Sequence, residues 1–222
     1  GKRVGLIGTG STGIQATPVI AAEAEHLTVF QRTPNFSVPA RHAAFLPEDQ
    51  EKIKKNYPAI FARTRESPAG FPYFPIERET MSVSAEERQE ILEGLWEEGG
   101  FKFMWGGFSD LLIDPTANEI ASEFIRSKIR EIVKDPETAE LLCPKDHPLG
   151  TKRLCVDTDY YETFNRENVS LVDVKAAPIE EITANGIRTR DAEYPLDVIV
   201  FATGFDAMTG SLLRIDIRGT GG

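Results

Sequence analysis

Six residues near the amino end constrain this chain more than any others: Gly8-Thr9-Gly10-Ser11-Thr12-Gly13, which follow the apolar run Val4 to Ile7 and precede Ile14. A G-x-G-x-x-G turn between a strand and a helix has a mechanism. The first glycine permits the tight turn, the second lets a pyrophosphate approach the backbone, and the third lets helix and strand pack closely. The helix N-terminus adds amide donors and the positive end of its dipole. Chance alone supplies roughly 0.1 such triplets in a chain of 222 residues with 18 glycines, so the flanking strand and helix carry the argument. Lys2 to Ile7, the turn, Ile14 to Glu25 and Leu27 to Gln31 read as a βαβ opening, with Pro18 expected to kink the second half of the helix.

The end of the second strand indicates which dinucleotide such a turn would hold. A chain selecting NAD places Asp or Glu there to accept from the ribose hydroxyls. This one reads Val29-Phe30-Gln31-Arg32-Thr33. A guanidinium cannot accept that bond, but it can form charge-assisted bonds to a 2′-phosphate, and Thr33 adds a hydroxyl donor. The expectation is NADP(H).

Charge divides the chain into three blocks. Residues 1–41 hold four Lys/Arg against two Asp/Glu, residues 42–150 hold 13 against 21, and residues 151–222 hold 8 against 12. The middle block has helical signals: Pro47-Glu48-Asp49, the capping box Ser84-Ala85-Glu86-Glu87 opening a helix through Trp96, and Asp114-Pro115 opening a long amphipathic one through Val133. Between them, the aromatic-rich stretch Ser67 to Pro75 and Gly106-Gly107 are breakers, and the aromatics are expected to pack on a neighbouring domain. The last block returns to strands at Val169 to Val174, Glu180 to Thr183, Gly186 to Thr189 and Leu196 to Ala202. Asn185-Gly186 is expected to form a two-residue hairpin turn with positive φ at both positions. Strand-bearing blocks on either side of a helical one predict an α/β, Rossmann-like dinucleotide-binding domain whose sequence is interrupted by a mainly helical insertion, the two halves meeting in one sheet.

The net charge of −10 disfavours nucleic acid and anionic membrane as partners. No run of 18 apolar residues suggests a membrane span. Cys143 and Cys155 lack C-x-x-C spacing, and His26, His42 and His147 lack metal-ligand spacing, so no metal is expected; the cysteine usage fits the cytoplasm. A strand starting at Arg3, with Gly1 first, reads as a segment of a longer polypeptide.

Several motifs together resemble the flavin-dependent Baeyer–Villiger monooxygenases of the phenylacetone and steroid type: Ile7 to Gln15, Phe30-Gln31-Arg32-Thr33-Pro34, Lys152-Arg153-Leu154, Tyr160-Tyr161-Glu162 with Phe164-Asn165-Arg166, and Phe201 to Asp206. The resemblance covers essentially the whole chain, helical insertion included. It implies that 1–40 and 151–207 form the NADPH domain, 41–150 its insertion, and 208–222 the start of the return to an FAD domain outside this chain. It implies that Gly8, Thr9, Gly10, Ser11, Thr12, Gly13 and Gln15 meet the cofactor, that Arg32 and Lys152 face its 2′-phosphate beside the hydroxyl of Thr33 already noted, and that Arg153 is the catalytic cation beside the flavin. In such enzymes NADPH reduces FAD, and one atom of O2 is inserted beside a ketone carbonyl to give an ester or lactone. Two other readings stay open at this level: an N- or S-oxygenating flavin monooxygenase, and a non-catalytic NADP-binding redox sensor.

Overall fold

A computed structural model describes residues 1–205 and 209–221. Nine strands and nine α-helices are found among them. The opening is β1 (Arg3–Ile7), α1 (Ser11–Glu23) and β2 (His26–Gln31), followed by β3 (Ser37–Pro39). The middle block carries α2 (Pro47–Lys55), α3 (Tyr57–Glu66), α4 (Ala85–Glu98), α5 (Lys102–Trp105), α6 (Pro115–Ile132) and α7 (Pro136–Leu142). Then come β4 (Cys155–Asp157), α8 (Tyr160–Thr163), β5 (Val169–Asp173), β6 (Ile179–Thr183), β7 (Gly186–Thr189), β8 (Glu193–Pro195), β9 (Val198–Phe201) and α9 (Gly210–Leu213).

The two outer blocks do meet in one sheet. Its order is β5-β2-β1-β9 and every pair is parallel, with Leu6 opposite Val29 on one side and Val200 on the other. Successive side chains of a strand face opposite ways. Leu6 faces α1, lying beside Gly13, whereas Gly5 faces Phe30 and Leu196. The antiparallel meander β6-β7-β8 covers this second face, with Tyr194 edge-on to Phe30 at 5.3 Å.

α1 departs from expectation at both ends of the argument. It starts at Ser11, so the second half of the glycine motif is already helical; its span ends at Glu23 and includes Pro18. Proline removes one backbone bond, but Gly13, Ile14, Thr17 and Ala21 are all buried on one face, so packing holds the turn that lost it. The hairpin between β6 and β7 forms one position early. Thr183 pairs with Gly186, so Ala184 and Asn185 are the central residues, and neither has positive φ. Gly186 is needed for a different reason: at φ +156 it passes so close to Tyr194 that a Cβ would lie 2.0 Å from that residue's carbonyl oxygen.

The insertion joins the same apolar core, which runs from Leu6, Ile14 and Val29 through Val38 to Trp96, Phe103, Phe124 and Ile125. Ser84 caps α4 and Asp114 caps α6, each accepting from an amide three residues on. α6 buries Ile125 and Ile129 completely, and it buries Arg126 between Glu119, Glu123 and the Pro144 carbonyl. α2 and α3, by contrast, bury nothing. The insertion leaves β3 and returns at β4, and these two short strands pair parallel, Ser37 opposite Cys155.

Candidate functional site

The glycine turn sits at the carboxyl end of β1. Gly8 has φ +111, and a Cβ there would lie 2.4 Å from the Ala202 carbonyl oxygen, so no other residue fits without moving β9. A Cβ on Gly13 would lie 2.0 Å from the Gly8 carbonyl oxygen, whereas one on Gly10 would meet nothing within 4 Å. Gly10 is the N-cap of α1, and no side chain caps it. The first-turn amides therefore face an open approach across Gly10, Ser11 and Thr12, all exposed. Asp206 of the Phe201 to Asp206 motif, and the 207/208 boundary, lie outside the described residues.

Three hydrogen bonds fasten this turn to segments far away in sequence. The Thr9 hydroxyl donates to the Thr33 carbonyl at 2.8 Å, which holds the loop after β2 against the turn. Ser11 Oγ lies 3.3 Å from Cys155 Sγ. Gln15 Nε2 donates to the Val156 carbonyl at 3.3 Å. Through them β4, and with it Lys152-Arg153, is brought alongside the start of α1. Asn35 completes the arrangement: its Nδ2 lies 3.2 Å from both the Arg153 carbonyl and Cys155 Sγ.

The three candidate cations are exposed, and among the described residues none has a carboxylate partner. That stands out in a chain with ten more acids than bases. Arg32 follows β2 directly and shares a shallow concavity with Lys145 and Lys175, which are themselves paired to Glu140 and Asp146. Lys152 lies in the loop before β4. No described contact joins it to Arg32, so Arg32 and Lys152 stand as separate positions. Arg153 packs its guanidinium over the Phe101 ring, 5.6 Å from the centroid.

Behind β4 the environment is dry. Asp157 accepts from Ser37 Oγ at 2.5 Å and from the Tyr160 amide at 3.0 Å, and burial pushes its carboxyl up to about 6 despite those bonds. Burial likewise raises the Cys155 thiol. Among the described residues no group of three His, Cys, Asp or Glu gathers as a metal site, and no helix is long and apolar enough to cross a membrane. A cavity of about 970 Å³ lies elsewhere, between the start of α6 and residues 145–151, where Arg126 and Arg130 are already paired with glutamates.

Asn35, Phe101 and Cys155 escape a reading of the sequence. Asn35 follows Pro34 and reads as an ordinary turn residue, and nothing local links any of the three to Arg153.

No protein-family model matches the chain. It is 49% identical over 219 residues to 2-oxo-Δ3-4,5,5-trimethylcyclopentenylacetyl-CoA monooxygenase of Pseudomonas putida, covering 99% of this chain and 40% of that protein. It is 50% identical over 224 residues to phenazine N-monooxygenase PhzNO1 of Lysobacter antibioticus, covering 100% and 41%. It is 46% identical over 226 residues to a Baeyer–Villiger monooxygenase of Pseudooceanicola batsensis, again 100% and 41%. A crystal structure of OTEMO in complex with FAD and NADP matches with a TM-score of 0.97 at 49% identity, over 99% of this chain and 41% of that one. The chain thus spans about two fifths of the relatives it matches.

Proposed function

Because the chain is homologous along its whole length to a segment of the Baeyer–Villiger monooxygenases, we propose that it is the NADPH-binding part of an enzyme that inserts one oxygen atom beside a ketone carbonyl. The overall reaction balances as ketone + O2 + NADPH + H⁺ giving ester or lactone, NADP⁺ and water. Residues 1–40 and 151–207 form the nucleotide-binding domain, 41–150 its insertion and 208–222 the return toward an FAD domain, whose site lies outside this chain. The enzyme works in the cytoplasm.

The residues fit the nucleotide. The open space at Gly10 and the uncapped start of α1 suit a pyrophosphate lying on Gly8, Thr9, Gly10, Ser11, Thr12 and Gly13, with Gln15 beside it. Arg32, Thr33 and Lys152 take the 2′-phosphate, and the first two follow the strand end where an acid would select NADH. When bound, NADPH supplies a hydride and the flavin supplies the oxygen chemistry. Arg153 offers a fixed cation that cannot deprotonate, suited to the oxyanion that develops as oxygen adds to a carbonyl.

The observation that carries this reading is the pairing of an open glycine turn with the Arg153 segment through the Ser11–Cys155 and Gln15–Val156 contacts. It is tested by Arg153→Ala in the whole polypeptide, loaded with FAD and supplied with NADPH, O2 and cyclohexanone. Ester formation should fall on the order of a hundred- to a thousand-fold, the usual cost of one lost oxyanion stabiliser, while flavin reduction by NADPH stays measurable. Arg153→Lys should rescue poorly, since it keeps the charge but loses the planar fork. Ester at near-parental rate in the alanine variant would return Arg153 to an ordinary loop cation. The similarity to phenazine N-monooxygenase supports a second reading, N-oxygenation. Conversion of phenazine to its N-oxide, with no ester from cyclic ketones, would select it.

A further inference from the structure

We propose that Phe101, backed by Phe71 and Tyr73, is a platform that positions the Arg153 guanidinium, so that the helical insertion sets the orientation of the catalytic cation. The inference rests on the role proposed for Arg153 above.

The 5.6 Å between the Arg153 guanidinium carbon and the Phe101 centroid lies within the roughly 6 Å reach of a cation–π contact. Phe101 is itself stacked on Phe71 at 5.5 Å and 30°, and Phe71 on Tyr73 at 5.3 Å and 4°. All three rings are half-buried, while Arg153 is exposed. The choice of partner matters chemically. A carboxylate would occupy the in-plane N–H donors of the guanidinium, whereas a ring occupies only its face and leaves the fork of donors available to a developing oxyanion. Among the described residues the Arg153 side chain has this ring contact and no carboxylate.

The fold delivers Phe101 to that place by a left-handed turn. α4 ends at Gly99-Gly100, with φ of +69 and +64. Gly100 donates its amide to the Pro39 carbonyl at 2.8 Å, and a Cβ on Gly99 would lie 2.3 Å from that same oxygen. Pro39 ends β3, and β3 pairs with β4, which begins two residues after Arg153. One two-stranded ladder therefore anchors both the ring and the cation. Asn35 holds the Arg153 backbone from the other side. Within this chain the aromatic stretch packs Phe71 against Phe101.

The test is Phe101→Leu, which keeps apolar bulk and removes the π face, compared with Phe101→Tyr, which keeps both. In the whole polypeptide with FAD, NADPH and cyclohexanone, Phe101→Leu should lower ester formed per NADPH consumed about tenfold. The missing electrons should appear as hydrogen peroxide (NADPH + H⁺ + O2 giving NADP⁺ + H2O2), and flavin reduction should stay within twofold of the parent. Phe101→Tyr should restore coupling. Independently of turnover, NMR of the 222-residue chain labelled with ¹⁵N-arginine should show a ring-current shift of the Arg153 Nε–Hε resonance that is lost in Phe101→Leu and kept in Phe101→Tyr. Phe71→Leu, which removes only the ring behind, should move coupling and resonance in the same direction by about a third as much. It decides the question if Phe101→Leu misfolds. Unchanged coupling in Phe101→Leu, or lost coupling with an unmoved Arg153 resonance, overturns the platform. Ester formation persisting in Arg153→Ala overturns the role of Arg153 itself, so the two failures read differently.

Discussion

The Gly8–Gly13 turn and the Arg153 corner lie side by side and are built by opposite means. In the turn, close approach of backbone atoms sets the geometry: Gly13 fits against the Gly8 carbonyl, Gly8 against the distant Ala202 carbonyl, and the Thr17 hydroxyl donates to the Gly13 carbonyl at 2.7 Å. In the corner, side chains do most of the fixing, and several come from far away in sequence. Asn35 reaches across 118 positions to Arg153, Ser37 across 120 to Asp157, and Phe101 comes from the insertion. The turn has no ionisable group within it, whereas the corner is braced on a buried carboxylate. A site assembled this way sets the turn by close backbone packing and makes the placement of Arg153 depend on the insertion and on a corner that holds a buried carboxylate.

The difference can be broken most strongly at Asp157. Burial raises its pKa from 3.8 to about 6 in the folded chain. Well below pH 3.8 it is protonated in both folded and unfolded states. As pH rises toward 6 the unfolded state loses its proton first, so stability falls, and above 6 the native state holds a charge at a cost of about 3 kcal/mol. Urea unfolding of the chain and of Asp157→Asn from pH 4 to 7 should therefore show the parent losing about that much relative to the variant. Parallel curves would mean that the carboxyl does not titrate in this window.

Gly13→Ala probes the other region. Its methyl would overlap the Gly8 carbonyl, and forcing it in should cost about 2 kcal/mol after the gain in helix propensity is allowed for. The loss should be the same at pH 4 and pH 7, and NADPH affinity should drop with it. A penalty that grew with pH would join the turn to the corner after all. The smallest expected effect is at Arg32, exposed and, among the described residues, without a carboxylate partner. Arg32→Ala should weaken NADPH binding roughly tenfold, about 1.4 kcal/mol, spare NADH, and leave unfolding almost unchanged. Equal loss for both nucleotides by titration calorimetry would remove the 2′-phosphate from the account of this residue.

What the sequence discloses follows the same division. The βαβ opening, the capped starts of α4 and α6 and the joining of the outer blocks in one sheet are legible because local patterns specify them. Asp114 caps a helix whose apolar stripe follows immediately. β3, β4 and β8 are three residues each, too short for alternation to show, and they exist through partners elsewhere. Gly8, Gly10 and Gly13 can be chosen from spacing alone. Asn35 and Phe101 cannot, since a turn amide and a loop phenylalanine acquire a role only when the chain closes on itself. Asn185 shows the reverse error: a local rule, correctly applied, is overruled where β7 passes close to β8.

The short parallel ladder of β3 and β4 also has a consequence for the order in which the molecule acquires structure. Its members are separated by about 120 positions of chain. Closing a flexible ring of that length costs about 4 kcal/mol in chain entropy, more than a three-residue ladder recovers unaided. Once the intervening helices have collapsed, their ends are already near each other and most of that entropy has been surrendered. The ladder is thus a clasp that shuts late, and the arginine beside it reaches its station only after the helical segment has folded, which makes the insertion a gatekeeper of maturation.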